Sequence, residues 1–366
     1  MESLLPGREE VWRRGASSTN LRSTLQGRVA IRPRAGRCPP QRIQQRGIVP
    51  PLPVYNPRVM RIDVHAHYLP ESCSDLMPSG PGRNPFGPAA NLKDDPSNLD
   101  FRMRKMDERG VDIQLVSGPN WLQNADPAQC ARLNDSVAEA IAGNDRFIGL
   151  ASVPMQEPET AAAELERCVK ELGMRGLEML THVNGENLDE PRFAPLYRKM
   201  EELDVPAFMH PNNVLGADRL TSYFLNNLIG NPTDTSVAVA SLIFGGILAE
   251  MPTLKFVLSH GGGTSPHLRG RWEHGWRQGL VETPITRPPS EYFRLLYFDT
   301  ITHSVPLLNY LVDTVGPERV MLGSDYPFGM GDYAPEEQVA ALPHLTDDGR
   351  AAINSENAIR VFGLDL

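Results

Sequence analysis

Eight short apolar segments, each followed by a helical pattern, predict one α/β domain, a (β/α)8 TIM barrel, over residues 60–366, preceded by a disordered N-terminal extension over residues 1–59. Three observations carry this expectation. Strand-like and helix-like periodicities alternate along the stretch, the pattern of a parallel sheet. The alternation repeats eight times, the number that closes such a sheet into a barrel. No Gly-x-Gly-x-x-Gly follows the first strand, so the signature of an open, doubly wound sheet is missing.

The first strand is residues 61–67, where Ile62 and Val64 alternate with Asp63, His65 and His67. Residues 70–98 are rich in Pro, Gly, Asn and Asp and read as a long loop, of the kind that covers a site or stays unstructured. A helix over residues 99–109 stops at Gly110, and the second strand, 111–116, ends in the turn Ser117-Gly118-Pro119. Helix 127–142 and strand 147–153 follow, then helix 158–172 with a proline at its start and Gly173 after its end. The fourth strand is 176–181, followed by helix 191–203 and strand 206–210. A second long loop runs from Pro211 to Thr233, and residues 236–250 read as a buried helix. Strand 255–258 leads into Ser259-His260-Gly261-Gly262-Gly263. A helix carrying Trp272 and Trp276, strand 295–299, helix 305–315, strand 319–323 and two helical patterns complete the chain.

Composition narrows the function. A net charge of -9 argues against nucleic-acid partners, which need a basic face. No run approaches the eighteen or so apolar residues of a membrane span. The four cysteines, Cys38, Cys73, Cys130 and Cys168, are scattered, which fits reduced thiols in a cytoplasmic protein. Residues 1–59 hold many arginines, no lysine and three acids, Glu2, Glu9 and Glu10. They read as a disordered tail or as sequence upstream of a working start at Met60; a transit peptide is the alternative.

In such barrels the chemistry collects at the C-terminal ends of the strands. His65 and His67 end strand one, His210 ends strand five, His260 follows strand six, and Asp325 follows strand eight. His65 and His67, two apart on a strand, share a face and lie about 7 Å apart, within reach of one ion. Imidazoles with a carboxylate suit Zn²⁺ or another borderline divalent ion. The fourth strand carries no lysine to bridge a second metal, so one metal per chain is expected. His182 sits on the same rim, either behind the ligands or facing substrate. His267, His274, His303 and His344 read as structural or solvated. The glycines after His260 fit a close backbone approach to ligand, a tight strand-to-helix turn, or both.

The segments Ile62-Asp63-Val64-His65-Ala66-His67, Met209-His210-Pro211, Ser259-His260-Gly261-Gly262-Gly263 and Gly323-Ser324-Asp325-Tyr326-Pro327-Phe328 resemble the amidohydrolase superfamily. Within it they are similar to the branch of 2-amino-3-carboxymuconate-6-semialdehyde decarboxylase and the nonoxidative aromatic acid decarboxylases. The resemblance also takes in Lys105 to Val111 and Glu166 to Gly173, and spans roughly residues 60–364. It implies that His65, His67, His210 and Asp325 bind the metal, Zn²⁺ or alternatively Mn²⁺, and that His260 acts as acid and base. It places Arg271 where the family has an arginine that reaches the neighbouring subunit's site, so a homodimer is expected. Without the family, Arg271 reads as a solvated helix charge. Asn212 stands where the named decarboxylase has tryptophan; with Arg271, His182 and Phe328 it is expected to contact substrate.

The activity so implied is removal of CO₂ from a small unsaturated or aromatic carboxylate. In one version metal-bound water, deprotonated by His260, attacks the substrate. In the other, substrate binds the metal directly and Asp325 helps protonate the ring carbon. An imidazole gives and takes protons near neutrality, as either step needs. The alternative is a metal-dependent hydrolase of a lactone, amide or carbon–carbon bond, using the same activated water.

Overall fold

The computed structural model describes residues 59–76, 95, 97–119 and 126–366. The N-terminal extension expected over residues 1–59 lies outside them apart from Val59, as does most of the loop expected over residues 70–98.

All eight expected strands form. They are β1 (Ile62–His67), β2 (Ile113–Ser117), β3 (Phe147–Leu150), β4 (Leu177–Leu180), β5 (Ala207–His210), β6 (Phe256–Leu258), β7 (Tyr297–Asp299) and β8 (Val320–Met321). Every ladder between them is parallel: β1-β2-β3 form one run and β4-β5-β6-β7-β8 the other. Two seams join the runs into a closed (β/α)8 barrel. Ala151 N donates to Gly176 O and Glu178 N to Ala151 O, both at 2.9 Å. On the other side Val64 N donates to Leu322 O at 2.9 Å and His67 N to Tyr326 O at 2.8 Å.

Two apolar layers hold the barrel. Leu133, Val137, Leu165 and Leu196 on the surrounding helices pack with Val116 and Met209 of the strands in the outer core. Inside, Ile62, Val64, Leu115, Phe208, Val257 and Met321 form a second cluster, plugged by Val361 and Phe362 of the last helix, Asn357–Phe362. The helices expected over 99–109 and 305–315 form with those bounds. The one expected over 236–250 instead starts at Asn231, with a proline in its first turn, and ends at Phe244. Gly246, at φ 86°, breaks it before a short helix, Ile247–Glu250, because left-handed backbone cannot continue a right-handed helix.

The first strand departs from simple alternation. A β-bulge between Asp63 and Ala66 shifts its parity. Ile62 and Val64 join the inner core, and His65 packs its ring 4.7 Å from Phe208 in that core, while Asp63 bonds Gln114 of β2. Strict alternation places Asp63 with the histidines; the bulge separates them.

Cys73, Cys130 and Cys168 form no disulfide among the described residues and are fully buried, and burial pushes the Cys130 thiol up to about 12. Thiolate, not thiol, is the reactive form. Native protein treated with a disulfide reagent at mild alkaline pH is therefore expected to show none of these three thiols, and denatured protein all three. Rapid reaction of any of them in the native state would contradict this packing.

Candidate metal centre

At the C-terminal rim of the barrel, one ligand atom from each of His65, His210, His260 and Asp325 lies within 4.8 Å of the others. His67 joins them: its Nε2 is 3.3 Å from His65 Nε2 and 3.2 Å from Asp325 Oδ1. His65 Nε2 also stands 3.2 Å from Asp325 Oδ1. His260 Nε2 is 3.7 Å from Asp325 Oδ2. Asp325 Oδ1 is buried without a hydrogen bond, and a buried carboxylate oxygen left in that state is costly.

The imidazoles are held from behind. His65 Nδ1 donates to Asp299 Oδ2 at 2.7 Å, and His210 Nδ1 donates to Pro211 O at 3.0 Å. Both rings thus keep Nε2 for the centre, as metal-binding histidines do. His67 Nδ1 faces Ser117 Oγ at 3.4 Å and Glu178 Oε2 at 3.8 Å. Asp299 also fixes the His260 loop, accepting from His260 N at 2.9 Å and Gly261 N at 2.7 Å. His260 and the three glycines after it all have positive φ, and a Cβ on Gly263 would lie 2.2 Å from Pro232 O. That favours the tight-turn reading of the glycines.

These contacts set the charge states of the residues. Burial opposes ionisation of His65, but Asp325 and Asp299 overcome it and hold the imidazolium up to about 10. Burial opposes the Asp325 carboxylate too, yet His65 and its neighbours hold it well below the ordinary range. His67 and His210 are both lowered, first by burial and then by neighbouring imidazoles. Neutral His67 and His210 and the ionised Asp325 are already in the forms that bind a divalent ion, and His65 fits one by releasing its second proton as the ion enters.

Beside His260 a cavity of about 360 Å³ opens, lined by His260, His267, His303, Ile301, Tyr310 and Met330 among others. No Lys, Arg, Asp or Glu of the described residues lines it. His267 and His303, which read as structural or solvated in the sequence, therefore face it. Phe328 places its ring 5.1 Å from that of His67. His182 is engaged elsewhere: Nε2 donates to Asn213 O at 3.0 Å and Nδ1 accepts from Gly185 N at 3.1 Å. Asn212 is half-buried and Arg271 exposed, and neither lines the cavity.

Two carboxylates escaped the sequence reading. Asp299 ends β7, so the strand-end reasoning that finds the histidines could have found it. Glu178 lies in β4, fully buried, on the Nδ1 side of His67 and away from the Nε2 side that faces Asp325. Burial pushes Glu178 up to about 8. Folded protein thus keeps a proton that the unfolded chain releases above the ordinary carboxyl range. The stabilisation is complete below that range and is lost as pH rises through about 8. Metal-free Glu178→Gln is expected to become more stable relative to wild type between about pH 5 and pH 9, by up to a few kcal/mol. Denaturant unfolding of chelator-treated proteins checks this, and a pH-independent difference would refute it.

Comparison with known proteins agrees with this geometry. The amidohydrolase family pattern matches residues 62–364. The 2-amino-3-carboxymuconate-6-semialdehyde decarboxylase of Dictyostelium discoideum is 33% identical, covering 84% of this chain and 93% of its own. The gamma-resorcylate decarboxylase of Rhodococcus jostii is 32% identical, over 83% of this chain and 99% of its own. A dihydroxybenzoic acid decarboxylase structure from Polaromonas, with bound manganese and the inhibitor 2-nitroresorcinol, superposes with a TM-score of 0.71. It is 27% identical and covers 84% of this chain and 98% of its own. By its barrel, its rim of histidines and these matches, the chain belongs to the amidohydrolase family, in the branch whose relatives are decarboxylases.

Proposed function

We propose that this protein is a metal-dependent nonoxidative decarboxylase of a small aromatic or unsaturated carboxylate. His65, His67, His210 and Asp325 hold one Zn²⁺ or Mn²⁺, and His260 is the acid–base residue. The observation that carries this reading is the convergence of His65 Nε2 and His67 Nε2, each 3.2 Å away, on the buried and unbonded Asp325 Oδ1. The bound ion supplies a Lewis acid that polarises oxygen atoms at the site.

The chain's own residues account for the rest. His260 borders both the cluster and the cavity, so its Nε2 can hand a proton to a substrate carbon lying there. As CO₂ leaves, the bonding electron pair stays on that carbon, which takes the proton from His260. Solvent then returns a proton to the imidazole. The apolar cavity wall suits this step, because a localised carboxylate charge gives way to neutral CO₂ and a charge spread over the ring. In a homodimer the exposed Arg271 would serve the neighbouring site. The buried cysteines, none in a disulfide among the described residues, support a cytoplasmic setting. No helix among the described residues is long and apolar enough to cross a membrane.

Metal analysis by mass spectrometry, paired with CO₂ detection across hydroxybenzoates and carboxymuconates, tests the reading. Close to one ion per chain with CO₂ evolved is the expected result. Bound metal without CO₂ from any compound would move the assignment to hydrolysis, and no metal after chelator-free purification would remove the site.

A further inference from the structure

A guanidinium deprived of all water is rare in proteins, because burying charge is costly unless every contact is well made. Arg102 is such a group, with 0% of its surface exposed. It belongs to the outer helix Leu99–Arg109, whose only buried residues are Arg102 and Met106. Burial lowers its pKa to about 10, so it stays charged at neutral pH.

The contacts of Arg102 run to the metal centre. Nη2 donates to the carbonyl of His67 at 2.6 Å, and Nη1 donates to Gln114 Oε1 at 2.8 Å. Its guanidinium lies 4.6 Å from the centre of the Tyr326 ring. Gln114 passes the connection on, donating through Nε2 to Asp63 Oδ2 at 2.7 Å. That amide orientation alone gives the guanidinium an acceptor and the carboxylate a donor. Asp63 in turn accepts from His65 N at 3.1 Å and Ser324 N at 2.9 Å through Oδ1, and from Ser324 Oγ through Oδ2. The Ser324 hydroxyl accepts from Tyr326 N at 3.2 Å, and Asp325 N donates to His65 O at 2.7 Å.

We propose that Arg102 is a positioning residue of the metal centre, fixing the spread of the ligands on β1 against the ligand on the turn after β8. This rests on the metal reading above. The chain from Arg102 through Gln114 to Asp63 bonds the backbone of His65, His67 and Ser324, so none of these can shift without breaking a buried hydrogen bond. Asp325 itself sits at φ 57°, a left-handed conformation that a non-glycine residue adopts at a cost. Its flanking residues, Ser324 and Tyr326, are the ones that Asp63 and Arg102 hold. Metal sites tolerate little drift in their ligands, so a supporting layer of this kind is felt as affinity.

The test uses the full chain and three variants: Arg102→Met, Arg102→Lys and Gln114→Met. Zn²⁺ affinity is measured by competition with a chromophoric chelator, and ligand geometry by the visible absorption of the Co²⁺-loaded protein. All three variants are expected to bind Zn²⁺ about 10–100-fold more weakly than wild type, with an altered Co²⁺ spectrum. Lysine keeps the charge without the planar fork and so does not restore the affinity. Variants that are merely less stable, with wild-type Zn²⁺ affinity and an unchanged Co²⁺ spectrum, would overturn the proposal. If Arg102→Met does not fold, Gln114→Met decides, since it leaves the Arg102 bond to His67 in place. Wild-type protein that binds neither ion would overturn the metal reading and this proposal together. Wild-type binding with unaffected variants overturns the proposal alone.

Discussion

Asp325→Ala is expected to lose tightly bound metal and CO₂ evolution together, with affinity falling by more than about 100-fold, beyond the loss typical of an outer partner. The carboxylate is the one anion in the cluster formed with His65, His210 and His260 among the described residues. It stands 3.2 Å from the Nε2 atoms of both His65 and His67. Without it three or four imidazoles crowd together with no carboxylate on their Nε2 side, and a cation entering the site meets no anionic ligand. Metal content after dialysis against a weak chelator reads the effect directly. Asp325→Ala protein that retains wild-type metal would show that the histidines suffice and would sink the assigned role.

The second large effect separates ligand from acid–base group. His260→Ala is expected to keep its metal and to lose about 10²–10⁴-fold in the rate of CO₂ release, the usual contribution of a positioned proton donor. Geometry makes this a real test, because His260 lies in the same cluster as the metal-binding candidates. Its Nε2 is nevertheless 3.7 Å from the nearer Asp325 oxygen, against 3.2 Å for His65 and His67, and it faces the cavity. Metal content and single-turnover CO₂ release should be measured on the same preparation. Loss of metal in His260→Ala would make His260 a ligand, whereas full turnover with metal retained would remove it from the chemistry.

The sequence made the barrel and the five rim residues legible for one reason. Parallel strands buried on both faces read as short apolar runs, and a polar residue at the end of such a run stands out. His65, His210 and His260 are visible in this way, and Asp299 obeys the same rule although a carboxylate draws less notice than an imidazole. Glu178 is harder, because Leu177-Glu178-Met179-Leu180 looks like a strand with one solvent-facing acid, and only barrel closure buries it. Arg102 sits among Arg104, Lys105 and Arg109, which suggests a solvated face. Helical periodicity could have corrected that, since Arg102 lies three residues after Leu99 and four before Met106, on the apolar stripe. The bulge in β1 was not legible, because it depends on how the strand meets β2 and the turn after β8.

The seam between the first strand and the last has a consequence for the order in which the molecule comes into being. Ser324 bonds Asp63 across 261 residues of sequence, and Ser324 Oγ approaches His65 O across 259. Contacts so distant along the chain form late, since long loops must close before any of them counts. A nascent polypeptide can display His65 and His67 early in synthesis, yet the rim cluster is incomplete until the region around Asp325 has left the ribosome. On the proposed metal reading, capture of the ion belongs to the end of folding, when every strand of the barrel is already in place.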